Sequence, residues 1–214
     1  MFNFEELFKT FFNINAQFDD IIEEPIDNST TRHLEPPNRT YEIGQKLAEK
    51  DDKFSTEAML SYAQMLFREV HKCVALRDLE PIRKLVSGRL YNVLEELISD
   101  EKVDAIEEYS FDSQIEKNYI TSYKVDDKYV YEYLTVCIIM NMPSNDIKYI
   151  NRLTFRREVN KSARAGVPVT YAISCPNCGA ALESVVATKC SYCKSLIEPA
   201  KYEWELLNFE IVKR

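Results

Sequence analysis

The sequence predicts an α+β fold in which helices pack against one face of a curved antiparallel sheet. Two observations carry this prediction. Between residues 54 and 99 the apolar residues recur at three- and four-residue steps, as they do on one face of a helix. After residue 104 the spacing changes to alternation, which is the period of a strand buried on one face. The predicted order is therefore three helices followed by four long strands.

The helical part begins with a long amphipathic helix that Ser55 is placed to cap. Its apolar stripe includes Cys73, which we interpret as a core residue and not as a reactive thiol. Residues 79–85 predict a short helical turn. Ser87 then precedes a second apolar pattern and is placed to cap a helix over Gly88–Ser99.

The four strands are predicted at residues 111–125, 129–142, 147–159 and 202–213. The second is apolar on both faces, which predicts a central position in the sheet with Cys137 in the core. In the fourth, the large apolar residues lie at even positions up to Leu206 and at odd positions from Leu207 onward. A β-bulge there would keep the large side chains on one buried face. A shorter strand is predicted at residues 167–174.

Four of the six cysteines form two C-x-x-C pairs, which are Cys175 with Cys178 and Cys190 with Cys193. Eleven residues separate the pairs, enough for a small hairpin and too few for a domain. Two such pairs supply the four thiolates of a tetrahedral site, so we predict one structural zinc ion, with a redox dithiol or a disulfide as alternatives. Gly179 follows the first pair, where a positive φ is needed. Lys194 follows the second, so that turn is predicted to be strained or shaped differently.

The chain divides into an acidic N-terminal arm (1–53), a main domain (54–214) and a zinc ribbon (174–198) inserted between the last two long strands. The arm holds 12 acidic and 6 basic residues. Its first twelve residues carry Phe at helical spacing, and residues 17–40 have the prolines and charge of an extended linker. We interpret the Phe-rich segment as a helix that packs on its own domain or on a second copy. A docking peptide for a partner or for a membrane surface is the alternative.

The composition also favours some surroundings over others. The net charge of −8 disfavours nucleic acid and anionic membranes as partners. The longest apolar stretch, residues 134–140, is far shorter than the roughly 20 residues that span a bilayer. No secretory signal is visible, so we expect a reducing cytoplasm, with peripheral membrane contact as the remaining membrane option.

Residues 51–98 resemble the opening of the Tim forty-four-like domain. The residues that carry this resemblance are Asp51, Phe54, Ser55, Ala75, Asp78, Leu79, Ile82, Arg83, Leu90, Tyr91 and Leu94. The sequences RLTFRRE, CPNCGAAL and CSYC, together with Trp204, resemble the bacterial branch that has a zinc ribbon inside this domain. The resemblance covers residues 43–213. It implies a cone-shaped, cystatin-like or nuclear-transport-factor-two-like fold, often with an apolar pocket, and an association with membranes or protein transport.

The predicted function is that of a non-catalytic interaction or scaffold domain, whose zinc ribbon stiffens the sheet and presents a surface to a protein partner. Self-association through the arm is a second expectation. The alternative is a binder of a small apolar ligand, in a cavity between helices and sheet. The aromatic residues that would line this cavity, or simply fill it, are Tyr119, Tyr123, Tyr131, Tyr133 and Phe155.

Catalysis and nucleic-acid binding are not expected. The only histidines are His33 and His71, and no carboxylate pair stands out on the inward strand faces. Basic residues do cluster around the ribbon, and we interpret them as a solvated surface. They are Arg156, Arg157, Lys161, Arg164, Lys189, Lys194 and Lys201.

Overall fold

The computed structural model describes residues 35–99, 115–128, 130–142, 147–159, 174–175, 177–197 and 204–213. Its helices are α1 (Thr40–Lys50), α2 (Thr56–Ala75) and α3 (Gly88–Ser99), with a short 3-10 turn, Glu80–Ile82, between α2 and α3. Its strands are β1 (Ile115–Val125), β2 (Tyr131–Met142), β3 (Ile147–Glu158) and β4 (Glu205–Lys213). The predicted α+β class is confirmed, and so are the bounds predicted for α3. The cone-shaped, nuclear-transport-factor-two-like form stays a prediction.

The four strands form one antiparallel sheet in the order β1-β2-β3-β4. Strands β2 and β3 pair without interruption, from Tyr131 opposite Glu158 to Met142 opposite Ile147. The central position predicted for β2 is therefore correct. No described helix is both long enough and apolar enough to cross a membrane.

The main core lies between the three helices and one face of the sheet. Its largest fully buried side chains come from both layers: Tyr62, Phe67, Leu66, Leu94, Phe155, Trp204 and Phe209. Cys73 belongs to this core, as predicted. Cys137 is also buried, but it lies in a smaller cluster on the opposite face of the sheet. Burial raises the pKa of both thiols, that of Cys73 to about 12 and that of Cys137 to about 11, so neither is a reactive thiolate at neutral pH.

Both predicted helix caps are present. The Ser55 hydroxyl accepts a hydrogen bond from the backbone N–H of Ala58 at 3.2 Å, and the Ser87 hydroxyl accepts one from Leu90 at the same distance. Each satisfies an N–H group that the first turn of a helix leaves without an intrahelical partner.

Helix α1 occupies residues that the sequence analysis assigned to the arm and its linker. It buries Ile43 and Leu47 in the main core. It also lies so close to α2 that a Cβ at Gly44 would stand 2.4 Å from the Thr56 hydroxyl oxygen. The nearby prolines and charges suggested an extended linker, whereas the four-residue step from Ile43 to Leu47 is the signal of this helix. The Phe-rich segment and His33 lie outside the described residues.

The β-bulge predicted near Leu206 and Leu207 is confirmed. Phe155 lies opposite Leu206 and Thr154 lies opposite Asn208, so Leu207 is the extra residue. As a result, Trp204, Leu206 and Phe209 are all buried although their sequence parity differs. Leu207 itself is only partly buried.

Segments from the helical layer bond to both outer strands of the sheet. The backbone N–H of Arg39 donates to the carbonyl of Ile120 in β1 at 2.9 Å. On the other side, Leu206 of β4 donates to the carbonyl of Leu85 and accepts from the N–H of Ser87, both at 2.8 Å. These bonds satisfy backbone groups that an unpaired edge strand would offer to another chain.

A buried ionic cluster joins α1 to the sheet. Arg157 of β3 donates from Nε to Glu132 of β2, and from Nη1 to Asp51 at the end of α1, at 2.9 Å. The guanidinium lies 4.5 Å from the centre of the Trp204 ring. The hydroxyl of Tyr123 donates to the second oxygen of Glu132 at 2.6 Å. All three charged side chains are buried, so each depends on the others for its polar partners.

The surroundings of Arg157 correct one sequence-based interpretation, because it is an interior residue and not part of a solvated basic surface. The neighbouring Arg156 pairs with Glu205 of β4 and lies over the ring of Tyr131. Lys161, Arg164 and Lys201 lie outside the described residues. Among the described members of the predicted basic cluster, Arg157 therefore does not contribute to a solvated surface.

The five aromatic residues proposed to line one ligand cavity lie on two faces of the sheet. Phe155 belongs to the main core and Tyr123 packs against it. Tyr119 belongs to the cluster on the opposite face, where it pairs with Cys137. Tyr131 and Tyr133 share the parity of Cys137 along β2 and therefore face the same way. The prediction of a single cavity between helices and sheet, lined by all five residues, is therefore wrong.

Candidate metal centre

The four cysteines of the two C-x-x-C pairs lie together, with all four sulfur atoms within 4.8 Å of one another. The sulfur of Cys175 is 3.7 Å from that of Cys193, and the sulfur of Cys178 is 3.8 Å from that of Cys190. A tetrahedral ion with zinc–sulfur bonds of about 2.3 Å would have sulfur–sulfur edges of about 3.8 Å. These two sulfur–sulfur edges therefore have the length expected in a tetrahedral thiolate site, and the cluster could hold a metal ion.

Two knuckles of the same shape build this cluster. In the first, the N–H of Gly179 donates to the carbonyl of Cys175, and the N–H of Cys175 donates to the carbonyl of Ala180. In the second, the N–H of Lys194 donates to the carbonyl of Cys190, and the N–H of Cys190 donates to the carbonyl of Ser195. The first cysteine of each pair is buried and the second is exposed. Each knuckle therefore contributes one buried and one exposed cysteine to the cluster.

Both knuckles turn through a residue with positive φ. Gly179 has a φ of 73° and Lys194 has a φ of 62°. The second turn therefore has the same shape as the first. Of the two alternatives predicted for it, the strained turn is the one observed, because a residue with a side chain disfavours a positive φ.

Hydrogen-bond donors surround the sulfur atoms. The hydroxyl of Ser195 lies 2.8 Å from the sulfur of Cys193, and the side-chain amide of Asn177 lies 3.6 Å from the same sulfur. Bonds from the Ser195 hydroxyl and backbone, and then from Asn177, lower the pKa of Cys193 to about 5. The pKa of Cys175 is also lowered, chiefly by the backbone N–H of Cys178. Donors of this kind favour thiolates, the form that binds metals.

Cys178 behaves differently from Cys193. A backbone bond from Ala180 acts to lower its pKa, but the neighbouring thiol of Cys193, partial desolvation and the other cysteines outweigh that bond and raise the pKa to about 11. Four thiols packed this closely cannot all ionise without a cation between them, since each thiolate disfavours the next. The electrostatics of the cluster therefore fit a site for a positive ion.

The segment between the knuckles attaches the cluster to the helical layer. The hydroxyl of Ser184 donates to the buried carboxylate of Glu69 in α2 at 2.7 Å. Val185 is buried in the main core, and Val186 packs against it. The segment that contains both knuckles, residues 174–197, is called the cysteine module; it is fixed to the rest of the structure through α2, as well as through its place between β3 and β4 in the chain.

Comparison with family models, curated proteins and solved structures finds no match to this chain. The resemblance to the Tim forty-four-like domain therefore stays a prediction, together with the link to protein transport that it implies.

Of the two histidines that the sequence offers, His71 lies within the described residues. It lies in the core between the rings of Phe67 and Phe209, with ring centres 4.3 and 5.3 Å away, and its Nδ1 bonds the carbonyl of Phe67 at 2.8 Å. Burial lowers its pKa to about 4, so it is neutral at physiological pH. It is therefore a buried, neutral residue of the core.

Sequence reasoning missed three residues that serve the cluster. Asn177 and Ser195 donate to sulfur, and Ser184 anchors the module to Glu69. The position of Asn177 inside the first C-x-x-C pair was a usable signal, because a polar side chain there lies beside the sulfur atoms of the cluster. The bond between Ser184 and Glu69 joins residues 115 positions apart, and no local pattern indicates it.

Proposed function

We propose that this chain is a non-catalytic interaction domain in which one zinc ion, held by four thiolates, fixes the shape of the cysteine module. The ligands would be Cys175, Cys178, Cys190 and Cys193. The observation that carries the proposal is the fit of the sulfur–sulfur distances, 3.7 and 3.8 Å, to the edges of a zinc tetrathiolate. Four protein ligands leave no open coordination position, so the ion would stabilise the fold without activating water.

Support for a structural role comes from the position of the module. Its connecting segment is anchored to Glu69 and to the main core, so a metal that orders the module also restrains the helical layer. Metal that binds only the folded state adds its binding free energy to folding. An interaction surface needs such restraint when it stands on a short hairpin with a small core of its own.

The first test is the metal content of the purified chain. We expect one zinc per chain, with Cys178→Ser losing most of it. Cys73→Ala is the matched control, because Cys73 is buried in the main core. This substitution should lower the stability of the fold while leaving zinc at one per chain. Cobalt substituted for zinc should give the visible absorption of a tetrahedral thiolate site.

Three outcomes would overturn the proposal. A chain purified under reducing conditions that binds no metal would show that the cysteines serve another purpose. Tightly bound iron in place of zinc would point to electron transfer. Unchanged thermal stability after complete removal of zinc by a chelator would show that the ion is not structural.

A further inference from the structure

The hairpin of the second knuckle, residues 189–196, presents large apolar side chains to solvent. Tyr192 is 70% exposed and Leu196 is 83% exposed. Within the described part of the chain, only five large hydrophobic side chains are strongly exposed, and two of them lie in this hairpin. Tyrosine and leucine displayed together on a fixed turn are typical of a surface that binds another polypeptide.

The same hairpin carries positive charge. Lys189 lies directly opposite Leu196 across the hairpin, and Lys194 lies between Tyr192 and Leu196 in the sequence. Both lysines are exposed, and residues 184–197 contain no acidic residue. A polypeptide that fits this surface must therefore supply both apolar and acidic side chains.

The N-terminal residues 1–34 have this composition. They contain seven acidic and two basic residues, and six of the eleven phenylalanines of the chain. The described structure begins at Glu35, which is fixed to the sheet by Lys117 and Tyr119. Thirty-four residues can extend over roughly 110 Å, so the segment has the reach to meet this hairpin in its own chain or in a second copy.

We propose that the acidic, Phe-rich segment of residues 1–34 docks on the hairpin surface formed by Lys189, Tyr192, Lys194 and Leu196. Apolar contact with Tyr192 and Leu196 would provide the affinity, and the two lysines would select an acidic segment over a neutral or basic one. This inference rests on the proposed function, because the metal is what gives the hairpin its fixed shape.

The test uses the purified full-length, zinc-loaded chain. The photo-crosslinker p-benzoylphenylalanine is placed at position 192 in place of Tyr192, and in a second protein at position 41 in place of Tyr41. Tyr41 is the matched control, since it is 79% exposed and lies on α1, outside the cysteine module. After irradiation, mass spectrometry identifies the crosslinked peptides.

We expect the crosslinker at position 192 to react with residues 1–34 at least fivefold more often than the crosslinker at position 41 does. Products of monomer mass would place the segment on its own chain, and products of dimer mass would place it on a second copy. Crosslinks from position 192 only to the folded body, or equal yields from both positions, would overturn the proposal. The zinc content of each sample is measured as well. If a sample holds one zinc per chain and shows no crosslinks to residues 1–34, the docking proposal is wrong while the proposed zinc site stands.

Two sets of substitutions separate the apolar and charged contributions. Phe8→Ser combined with Phe12→Ser should reduce crosslinks from position 192 several-fold, whereas Asn13→Ser combined with Asn15→Ser should not. Lys189→Glu should also reduce them, and the effect should weaken at high salt. If Lys189→Glu lowers zinc affinity and leaves the crosslinks unchanged, the lysine balances the charge of the thiolates and the proposed charge pairing is wrong.

Discussion

The two knuckle turns, one through glycine and one through lysine, allow the backbone strain at the four-cysteine cluster to be measured. Because a Cβ at Gly179 would meet nothing within 4 Å, Gly179→Ala tests the positive φ alone. We expect this change to cost about 1 kcal/mol, or about a fivefold loss of zinc affinity. Lys194→Gly should have the opposite sign and a similar size.

Competition with a chelator measures both affinities under the same conditions. The comparison contains its own control, since Gly179→Ala adds a side chain and Lys194→Gly removes one at equivalent positions of similar turns. A loss of zinc affinity in Lys194→Gly as large as that in Gly179→Ala would mean that the lysine side chain, and not the backbone, determines the second turn.

At the same scale, His71 makes the stability of the fold depend on pH. Its pKa is about 4 in the folded chain and near 6.5 when unfolded. The unfolded state therefore binds more protons between these values, so stability is full above about pH 6.5 and falls as the pH decreases towards 4. The loss over this range should be about 3 kcal/mol.

Chemical denaturation at several pH values, with wild type and His71→Phe compared, checks this prediction. Acid would also release the proposed zinc from its thiolates in both proteins, so the informative quantity is the difference between them. The substituted protein should lose about 3 kcal/mol less than wild type between pH 6.5 and 4. Parallel curves would show that His71 does not titrate in this range.

Among the elements, the connection of α1 to the sheet depends on a buried charge. Arg157→Leu would leave Asp51 and Glu132 buried without their common partner. We expect a cost of about 3–5 kcal/mol, as found when one member of a buried ion pair is removed. Adding Asp51→Asn and Glu132→Gln to the same protein should recover part of this loss.

Arg156→Leu is the matched control for this change. It lies one residue away on the outer face of β3, and its pair with Glu205 is partly exposed, so its loss should cost at most about 1 kcal/mol. Urea unfolding of the variants gives the comparison. Equal costs at the two positions would show that the Asp51–Arg157–Glu132 cluster contributes no more than a surface ion pair.

The elements also show what sequence patterns can and cannot predict. The bounds of α3, its Ser87 cap and the bulge at Leu207 followed from local signals, namely periodicity, a capping residue and a change of parity. The four-cysteine cluster followed from spacing alone. In contrast, the partners of Arg157 lie 25 and 106 residues away, and only the fold brings them together. Its neighbours in the sequence suggested a solvated residue.

In the molecule as a whole, the cysteine module and the body should respond to metal together. Cys190→Ser removes a buried cysteine of the four-cysteine cluster, and we expect faster amide hydrogen exchange in the module and also in β4. The reason is that Val185 and the bond from Ser184 to Glu69 fix the module to the same core that holds β4. Hydrogen exchange measured by mass spectrometry distinguishes the two regions.

Ser184→Ala provides the control for this coupling. It should keep one zinc per chain, because Ser184 does not contact a sulfur atom, but it should reduce the response of α2 to metal removal. Faster exchange confined to residues 174–197 in Cys190→Ser would mean that the module and the sheet unfold independently.

The order of elements along the chain has a consequence for how the protein is completed during synthesis on the ribosome. Trp204, Leu206 and Phe209 close the core, yet they leave the ribosome after every other described element. The hydroxyl of Tyr62 bonds the carbonyl of Trp204 across 142 residues, so its partner is made late. Until then the nascent helices and first three strands expose an apolar face that β4 and Trp204 later cover. We expect the newly made chain to depend most on chaperones in this interval.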